Sequence, residues 1–347
     1  MGFSTSTMTV RSPGVNLLAA AQAVPRLRVA PSHNAFAFTI GIRHFAFPQV
    51  PELPDLLVYI DALTRHLLGR RLGRVLLLSP FVLRSVDPPI DAVCGEEVRT
   101  IDRIGKRLAL GFDGELFLVI HLMIAGRLKW APLREDGVPG KRPSPKLVLA
   151  VFEFEHGTLF FTEASSKKRA SLQLVRGMPG VEALNPGGVE PLDVSLSQFR
   201  EALTRENHTL KRALTDPHLF SGIGNAYSDE ILHAARLSPL KLSRTLSDDE
   251  LLRLHEATRA TLRMWIERLQ ADAAGKFPEK VTAFRDQMAV HGRFKRPCPA
   301  CGALVQRIAY ADHECNYCAR CQTGGRLLAD RSLSRLLKAD WPRYLDQ

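Results

Sequence analysis

Five of the six cysteines in this 347-residue chain lie between positions 298 and 321. Cys298 with Cys301, and Cys318 with Cys321, form two C-x2-C pairs separated by sixteen residues, a spacing typical of a four-thiolate structural zinc site. Cys315 offers a competing pair with Cys318, but that choice leaves thirteen intervening residues and gives Cys321 no partner. The spacing therefore predicts one Zn²⁺ held by the outer four thiolates, with Cys315 a spare thiol nearby.

Four thiolates would complete the coordination of that ion and leave no position for an activated water. The predicted metal therefore shapes the polypeptide and takes no part in a reaction, so catalytic groups must be sought elsewhere. A disulfide framework is not favoured, because the cysteines crowd into one segment and Cys94 stands alone.

The chain is strongly basic, with 47 Lys and Arg against 36 Asp and Glu and a formal charge of +11. Such a field favours densely anionic partners, either nucleic acid or an anionic membrane surface, although a merely basic protein has the same composition. No apolar run reaches the roughly 18 residues that span a bilayer. We therefore expect a nucleic acid partner and no membrane span.

The elements that must position any site change in type along the chain. Residues 1–50 contain four arginines and no acidic residue and lack periodicity, which predicts an N-terminal extension outside the fold. That segment reads either as a transit peptide or as translation from an upstream false start. Leu56, Leu57, Ile60, Leu63 and Leu67 then recur at helical spacing.

Seven strand-like segments follow that helix, and they predict a β-sandwich with a flanking helix. They are 74–78, 97–103, 106–112, 116–122, 147–154, 158–162 and 171–175. Asp113-Gly114 predicts a two-residue hairpin, and Asn185 to Gly188 predicts a linker. Beyond it, Ser195 with Gln198 and Ser247 with Glu250 fit capping boxes of helices.

The overall prediction is an α+β protein whose N-terminal β-sandwich precedes a mostly helical domain ending in a four-cysteine zinc-ribbon hairpin. The expected boundaries are 51–184 for the sandwich, 195–290 for the helical domain, 291–325 for the zinc finger and 326–347 for a tail.

Two segments, taken with the zinc ribbon, resemble the formamidopyrimidine-DNA glycosylase and endonuclease VIII family. The first is Pro51-Glu52-Leu53-Pro54-Asp55, which is similar to the mature N-terminus of the family. The second, LFSGIGNAYSDEIL at 219–232, is similar to its helix-two-turn-helix motif. The resemblance runs from Pro51 to about Gln322 in the order of the family, and three ordered motifs are more specific than one.

The resemblance implies a bifunctional glycosylase and abasic-site lyase whose nucleophile is the N-terminal proline, here Pro51. A free α-amine titrates near ~8 and is partly neutral at neutral pH, whereas a proline nitrogen inside a peptide bond cannot attack. We therefore expect translation to begin at Val50, or the leader to be removed there; a non-catalytic DNA-binding relative is the alternative. Glu52 is the expected general acid and base, and Asp55 replaces the usual glutamate of the family.

The same resemblance implies contacts to the DNA backbone. Lys106 matches the catalytic β-turn lysine, Asn225 matches a phosphate-binding asparagine, and Arg293 lies in a similar element, with His291 replacing a tyrosine. Lys167, Lys168 and Arg169 stand where the family has an Arg-Phe wedge loop, and they predict a phosphate-facing cluster instead. His313 replaces the finger-tip arginine, so we expect weaker and more pH-sensitive phosphate binding.

The void-filling methionine of the family falls at Ile124, with Met123 before it, and either side chain could enter the stack or belong to the core. The expected partner is duplex DNA containing oxidised bases or abasic sites, bound by a monomer in the bacterial cytoplasm near the nucleoid. A ribosome-associated or RNA-associated zinc-ribbon protein is a weaker alternative.

Overall fold

The computed structural model describes residues 50–134, 140–278, 281, 285–310, 313–328 and 343–345. The predicted N-terminal extension lies outside the described residues apart from Val50, as does most of the predicted C-terminal tail. No helix among the described residues is both long enough and apolar enough to cross a bilayer.

Helix α1, Leu53–Leu67, begins directly after Glu52. Pro54 lies in its first turn, where a missing N–H costs nothing, and Asp55 accepts the backbone N–H of Glu52 at 3.0 Å. Leu56, Tyr59, Leu63 and Leu67 on one face are fully buried in the core of the sandwich. The predicted helix is confirmed, and its N-terminus carries the residues of the predicted nucleophile motif.

Eight antiparallel strands form the two sheets of the sandwich, in the orders β1-β6-β7-β5 and β2-β3-β4-β8. The strands are β1 Leu72–Leu77, β2 Val98–Ile104, β3 Arg107–Phe112, β4 Leu116–His121, β5 Gly126–Pro132, β6 Val148–Phe154, β7 Gly157–Glu163 and β8 Ser171–Arg176. Apolar side chains of both inner faces and of α1 share one core. The predicted β-sandwich with its flanking helix is confirmed.

Two local predictions for the sandwich differ from the structure. Strand β5 was not predicted, because its most buried side chains, Leu128 and Ala131, are three residues apart and break the period of two. Asp113-Gly114 does not form a two-residue hairpin. Phe112 pairs with Leu116, so three residues connect the strands, and Gly114 has a φ of 69°.

The second half is helical up to the cysteines, as predicted. Its helices are α2 Gly177–Glu182, α3 Leu196–Thr204, α4 Leu210–Thr215, α5 Asn225–Ala234 and α6 Asp248–Ala273. Both predicted capping boxes form, at Ser195 with Gln198 and at Ser247 with Glu250. Trp265 of α6 and Tyr227 of α5 are fully buried in a second core, and their rings meet edge to face at 6.1 Å.

The ribbon closes the described fold. Strands β9 Gln306–Ala309 and β10 Glu314–Tyr317 form an antiparallel hairpin, and helix α7 Ala319–Thr323 follows. Cys298 and Cys301 precede the hairpin, whereas Cys318 and Cys321 follow it. The hairpin packs against α5, which brings the tip of the finger close to the first residue of that helix.

Candidate functional site

The carboxylate of Glu52 lies at the N-terminus of helix α5 and is only 1% exposed. Its oxygens accept the backbone N–H groups of Gly224 at 2.7 Å, Ala226 at 2.8 Å and Tyr227 at 3.2 Å. The first amides of a helix lack partners within the helix and carry partial positive charge. A carboxylate is therefore well placed there, and it joins the start of α1 to the start of α5.

Lys106 lies beside this carboxylate. Ile104 pairs with Arg107, so Gly105 and Lys106 form the tight turn between β2 and β3, with Gly105 at a φ of 57°. A Cβ placed on Gly224 would lie 2.5 Å from Lys106 Nζ and 2.6 Å from Glu52 Cδ. The ammonium, the carboxylate and the start of α5 therefore meet at a position that only glycine fits.

Burial lowers the pKa of Lys106, and the Glu52 carboxylate opposes that shift while Lys211 reinforces it. A lysine whose charged form is partly desolvated offers a strong electrostatic contact to an incoming anion, because water screens it less. The arrangement can therefore hold an anionic group beside Lys106 and Asn225, whereas the N–H of Gly224 is already bound by Glu52.

A groove of about 700 Å³ opens over this position, between the β2–β3 turn, α4, α5 and the finger. Lys106, Asn225 and His313 all line it, as do Lys211 and Arg212. The structure thus brings together three predicted site residues whose sequence positions span more than two hundred residues. Asn225 Oδ1 is buried and accepts no hydrogen bond from a described residue, while Nδ2 donates to the Glu314 carbonyl at 2.9 Å.

His313 stacks on Tyr310 at the finger tip, with ring centroids 4.6 Å apart and 12° between planes. Tyr310 N–H donates to the His313 carbonyl at 2.9 Å, which closes the described part of the hairpin turn. The histidine is therefore held as part of a flat ring pair on the wall of the groove.

A buried charge cluster that the sequence did not predict fixes the finger against α5. Asp229 is fully buried. Its carboxylate forms an ion pair with Lys211 Nζ at 2.5 Å, and it accepts hydrogen bonds from His291 Nδ1 at 2.8 Å and from the N–H of Asn316 at 3.0 Å. The Lys211 ammonium also donates to the Asn225 carbonyl at 2.6 Å. These contacts join α4, α5 and the ribbon. The pKa of Asp229 is lowered even though burial alone would raise it, because Lys211 and His291 outweigh desolvation.

Pro51 is buried next to Glu52 at the end of α1 that faces α5. Asp55, one helical turn further on, is only 1% exposed and accepts a hydrogen bond from Arg285 Nη2 at 2.8 Å. Burial raises the pKa of the Asp55 carboxyl, and Arg285 opposes the shift. Asp55 therefore holds the segment that follows α6 against the start of α1, and Arg285 is a second residue that sequence reasoning missed.

The other predicted phosphate contacts lie apart from this groove. Arg293 donates to the carbonyls of Asp286 at 3.0 Å and Pro297 at 3.3 Å, so its guanidinium braces the base of the ribbon. Lys167, Lys168 and Arg169 are exposed on the β7–β8 loop. None of these four side chains lines the groove among the described residues.

The turn between β4 and β5 carries the predicted void-filling residues. Met123 has a φ of 50°, a left-handed conformation that is uncommon outside glycine. Its N–H donates to His121 Nδ1 at 3.0 Å, which supports the turn. Met123 and Ile124 are both partly exposed, so neither belongs to the core.

The four predicted cysteines converge, and their Sγ atoms all lie within 4.8 Å of one another. Cys301 and Cys318 Sγ atoms lie 3.4 Å apart, and those of Cys298 and Cys321 lie 4.0 Å apart. A tetrahedral ion with bonds of about 2.3 Å places its sulfurs roughly 3.8 Å apart, so the cluster fits a metal ion. Cys315 is buried outside it, and His233 Nε2 lies 3.2 Å from Cys298 Sγ.

Comparisons with known proteins agree with these features. Residues 50–168 match the formamidopyrimidine-DNA glycosylase N-terminal domain, and residues 188–274 match the H2TH domain of the same enzymes. The formamidopyrimidine-DNA glycosylase of Desulforamulus reducens is 31% identical over 285 residues, which cover 79% of this chain and 99% of that protein.

Two solved structures share the fold. The MutM (Fpg) protein of Thermus thermophilus is 31% identical with a TM-score of 0.66, covering 78% of this chain and 98% of its own. The Lactococcus lactis Fpg in complex with DNA containing an abasic site is 23% identical, with a TM-score of 0.68. The match covers 78% of this chain and 99% of that one. The chain therefore belongs to the formamidopyrimidine-DNA glycosylase family.

Proposed function

We propose that this protein is a base-excision repair glycosylase with abasic-site lyase activity, which acts on oxidised bases in duplex DNA. The observation that carries the proposal is the convergence of Glu52, Lys106 and the N-terminus of α5 on one basic groove. A phosphate group fits there, because Lys106 and Arg212 line the groove with positive charge. The relatives described above, one of them bound to abasic-site DNA, support the same function.

In this proposal the secondary amine of Pro51 attacks C1′ of the damaged nucleotide. The N–C1′ bond forms as the glycosidic C–N bond breaks, and the base leaves with the electron pair and a proton. The C1′–O4′ bond then breaks, O4′ takes up a proton as the sugar ring opens, and the Pro51 nitrogen, which has lost its own proton, forms an iminium with C1′. Loss of a C2′ proton then expels the 3′ phosphate by elimination. Glu52 is the nearest carboxylate along the chain and serves the proton transfers. The amine must be free, so the active form begins at Pro51.

Lys106, Asn225 and His313 hold the phosphate backbone beside the lesion. Residues 51–184 form the catalytic domain, residues 195–290 the helical DNA-binding domain and residues 291–325 the zinc finger. Lys167, Lys168, Arg169 and Arg293 take part only in the wider electrostatic attraction of DNA, since they lie outside the groove. Met123 and Ile124 are placed to fill the gap left by a flipped base. These contacts would keep the protein on genomic DNA.

We assign zinc to the four-cysteine cluster, because tetrahedral thiolate sites of this spacing favour Zn²⁺. Cys298, Cys301, Cys318 and Cys321 would hold it. Bound zinc would supply folding free energy to the short hairpin that carries His313 and would have no role in the reaction.

Borohydride trapping tests the proposal. A chain that begins at Pro51, mixed with an abasic-site duplex and sodium borohydride, is expected to form a covalent protein–DNA adduct, because the reductant fixes the iminium. The Pro51→Gly variant replaces the secondary amine with a primary amine of different basicity and serves as a control for the position of attack, whereas an acetylated N-terminus should give no adduct. An equal yield from the acetylated protein would refute Pro51 as the nucleophile.

A further inference from the structure

A separate cavity of about 480 Å³ lies at the other end of helix α1. His66, in the last turn of α1, lines it together with Trp130 of β5 and Phe277 of the segment after α6. His66 is eleven residues beyond Asp55, so the two lie about 16 Å apart along the helix axis. The cavity is therefore distinct from the groove at Lys106, and neither the proposed reaction nor the proposed DNA contacts use it.

The rim of this cavity carries four cations from three segments of the chain. They are Lys129 of β5, Lys141 and Arg142 of the β5–β6 connection, and Lys276 after α6. None of the four forms an ion pair with a described residue, and the described lining includes no acidic side chain. A concave site lined by one sign of charge concentrates the field and attracts anions of opposite sign.

Aromatic rings form the wall of the cavity. The rings of His66 and Trp130 stack with centroids 4.9 Å apart and 27° between planes. The other side of the indole rests on Gly157, where an added Cβ would lie 2.3 Å from Trp130 Cζ2. Phe277 continues the wall, with its centroid 6.0 Å from that of His66. Burial lowers the pKa of His66, and the cation of Arg65 adds to that shift, so both favour the neutral ring.

We propose that this cavity binds a nucleoside phosphate, either as a free nucleotide or as part of a single strand. The cationic rim receives the phosphate, and the base packs against the parts of the Trp130, His66 and Phe277 rings that line the cavity. A simple inorganic anion would use the rim but leave the apolar wall uncovered. A ligand that combines negative charge with a planar apolar group matches both, as in sites for single-stranded nucleic acid.

Tryptophan fluorescence of the full-length protein tests this assignment. In a Trp341→Phe background the remaining tryptophans are Trp130, which lines the cavity, and Trp265, which is 1% exposed and should not respond directly. A 5′-phosphorylated thymidine tetramer is expected to quench the emission to saturation. The double variant K141E/R142E should bind it about tenfold more weakly, with a shallower salt dependence, because each neutralised phosphate of a single strand adds to the slope. Titration with thymidine monophosphate shows which form of the ligand the cavity binds. An affinity equal to that of the tetramer indicates a free nucleotide, and a weaker affinity indicates a single strand.

Two matched variants separate this site from its surroundings. Lys146→Glu changes an exposed charge of the same β5–β6 connection that does not line the cavity, and should leave the quench unchanged. Lys106→Ala disables the proposed catalytic groove and should also keep the quench, so a failure of the repair function would be seen separately. The proposal is wrong if K141E/R142E binds the tetramer normally, or if pyrophosphate or a polyglutamate peptide reverses the quench at concentrations equal to that of the tetramer.

Discussion

Glu52 Oε2 accepts the backbone N–H of Gly224 at 2.7 Å, although 172 residues separate them in the sequence. Oε1 of the same carboxylate accepts the N–H of Ala226 at 2.8 Å. The Glu52 carboxylate thus links the sandwich to the helical domain and caps the N-terminus of α5. Because Lys106 approaches the same point, any change at Glu52 alters both the packing of α5 and the charge beside the proposed nucleophile.

The Glu52→Gln variant is expected to lose both stability and adduct formation. The amide nitrogen of glutamine cannot accept a hydrogen bond, so at least one buried N–H of α5 is left unpaired, at a cost of about 1–3 kcal/mol in the free energy of unfolding. Urea unfolding measures that loss, and borohydride trapping measures the reaction. Glu201→Gln, on the exposed face of α3, should change the free energy of unfolding by less than about 0.5 kcal/mol. Equal effects of the two variants would argue against a special role for Glu52.

Gly224→Ala should separate Lys106 from the start of α5. The added methyl group would lie 2.5 Å from Lys106 Nζ, so the lysine or the helix must move. We expect a loss of about 1–3 kcal/mol in stability, as for other overpacked sites, and roughly tenfold weaker binding of abasic-site duplex, equivalent to about 1.4 kcal/mol. Fluorescence anisotropy with labelled duplex measures the affinity.

Gly73→Ala provides the comparison for that variant. Gly73 lies in β1, and its added Cβ would approach the Glu153 carbonyl oxygen at 3.3 Å, which a small shift relieves. DNA affinity should be unchanged in this variant. If Gly224→Ala binds abasic duplex as tightly as Gly73→Ala does, the groove does not depend on the close approach of Lys106 to α5.

Much of the fold could be predicted because its signals are local. Alternating apolar residues predicted seven of the eight sandwich strands, and capping residues predicted the starts of α3 and α6. Helix α2 escaped prediction because Gly177, Pro179 and Gly180 have poor helix propensity. Packing holds it instead, since Val181 is buried against Val119 and Ala109 on the outer face of a sheet.

The site was predictable only in part. The resemblance carried Glu52, Lys106 and Asn225 to positions that the structure brings together. The Lys211, Asp229 and His291 cluster gave no such signal, because its members are spaced 18 and 62 residues apart and pair only after folding. Buried charge pairs follow no periodicity, so a single sequence does not reveal them. The sequence likewise gave no sign that the Arg293 guanidinium donates to two backbone carbonyls, and its contact with DNA stays a prediction.

Removal of the metal should distinguish ligands from the spare thiol. Cys301→Ser is expected to lose bound metal and to unfold the hairpin that carries His313, because a short ribbon has little else to stabilise it. Cys315→Ser should retain one equivalent of metal, since the Cys315 side chain is buried outside the four-sulfur cluster. Elemental analysis of the purified proteins measures the content. Metal loss in both variants would assign Cys315 to the site.

The β4–β5 turn should be sensitive to acid through His121. Burial lowers the pKa of His121 from 6.5 to about 4, and the cations of Arg107 and Lys106 add to that shift. The neutral ring accepts the N–H of Met123 through Nδ1. Between pH 6.5 and about 4 the unfolded chain binds a proton that the folded chain does not, so acid favours unfolding. The stability that depends on the neutral ring is complete above pH 6.5 and falls as the pH decreases towards 4.

The His121→Asn variant isolates this contribution, because an asparagine oxygen can accept the same N–H without titrating. From about pH 7.5 to about pH 5, wild-type protein should lose about 2 kcal/mol more of its free energy of unfolding than the variant does. Urea unfolding at the two pH values gives the difference, and parallel acid losses in the two proteins would show that His121 already binds its proton in the folded state.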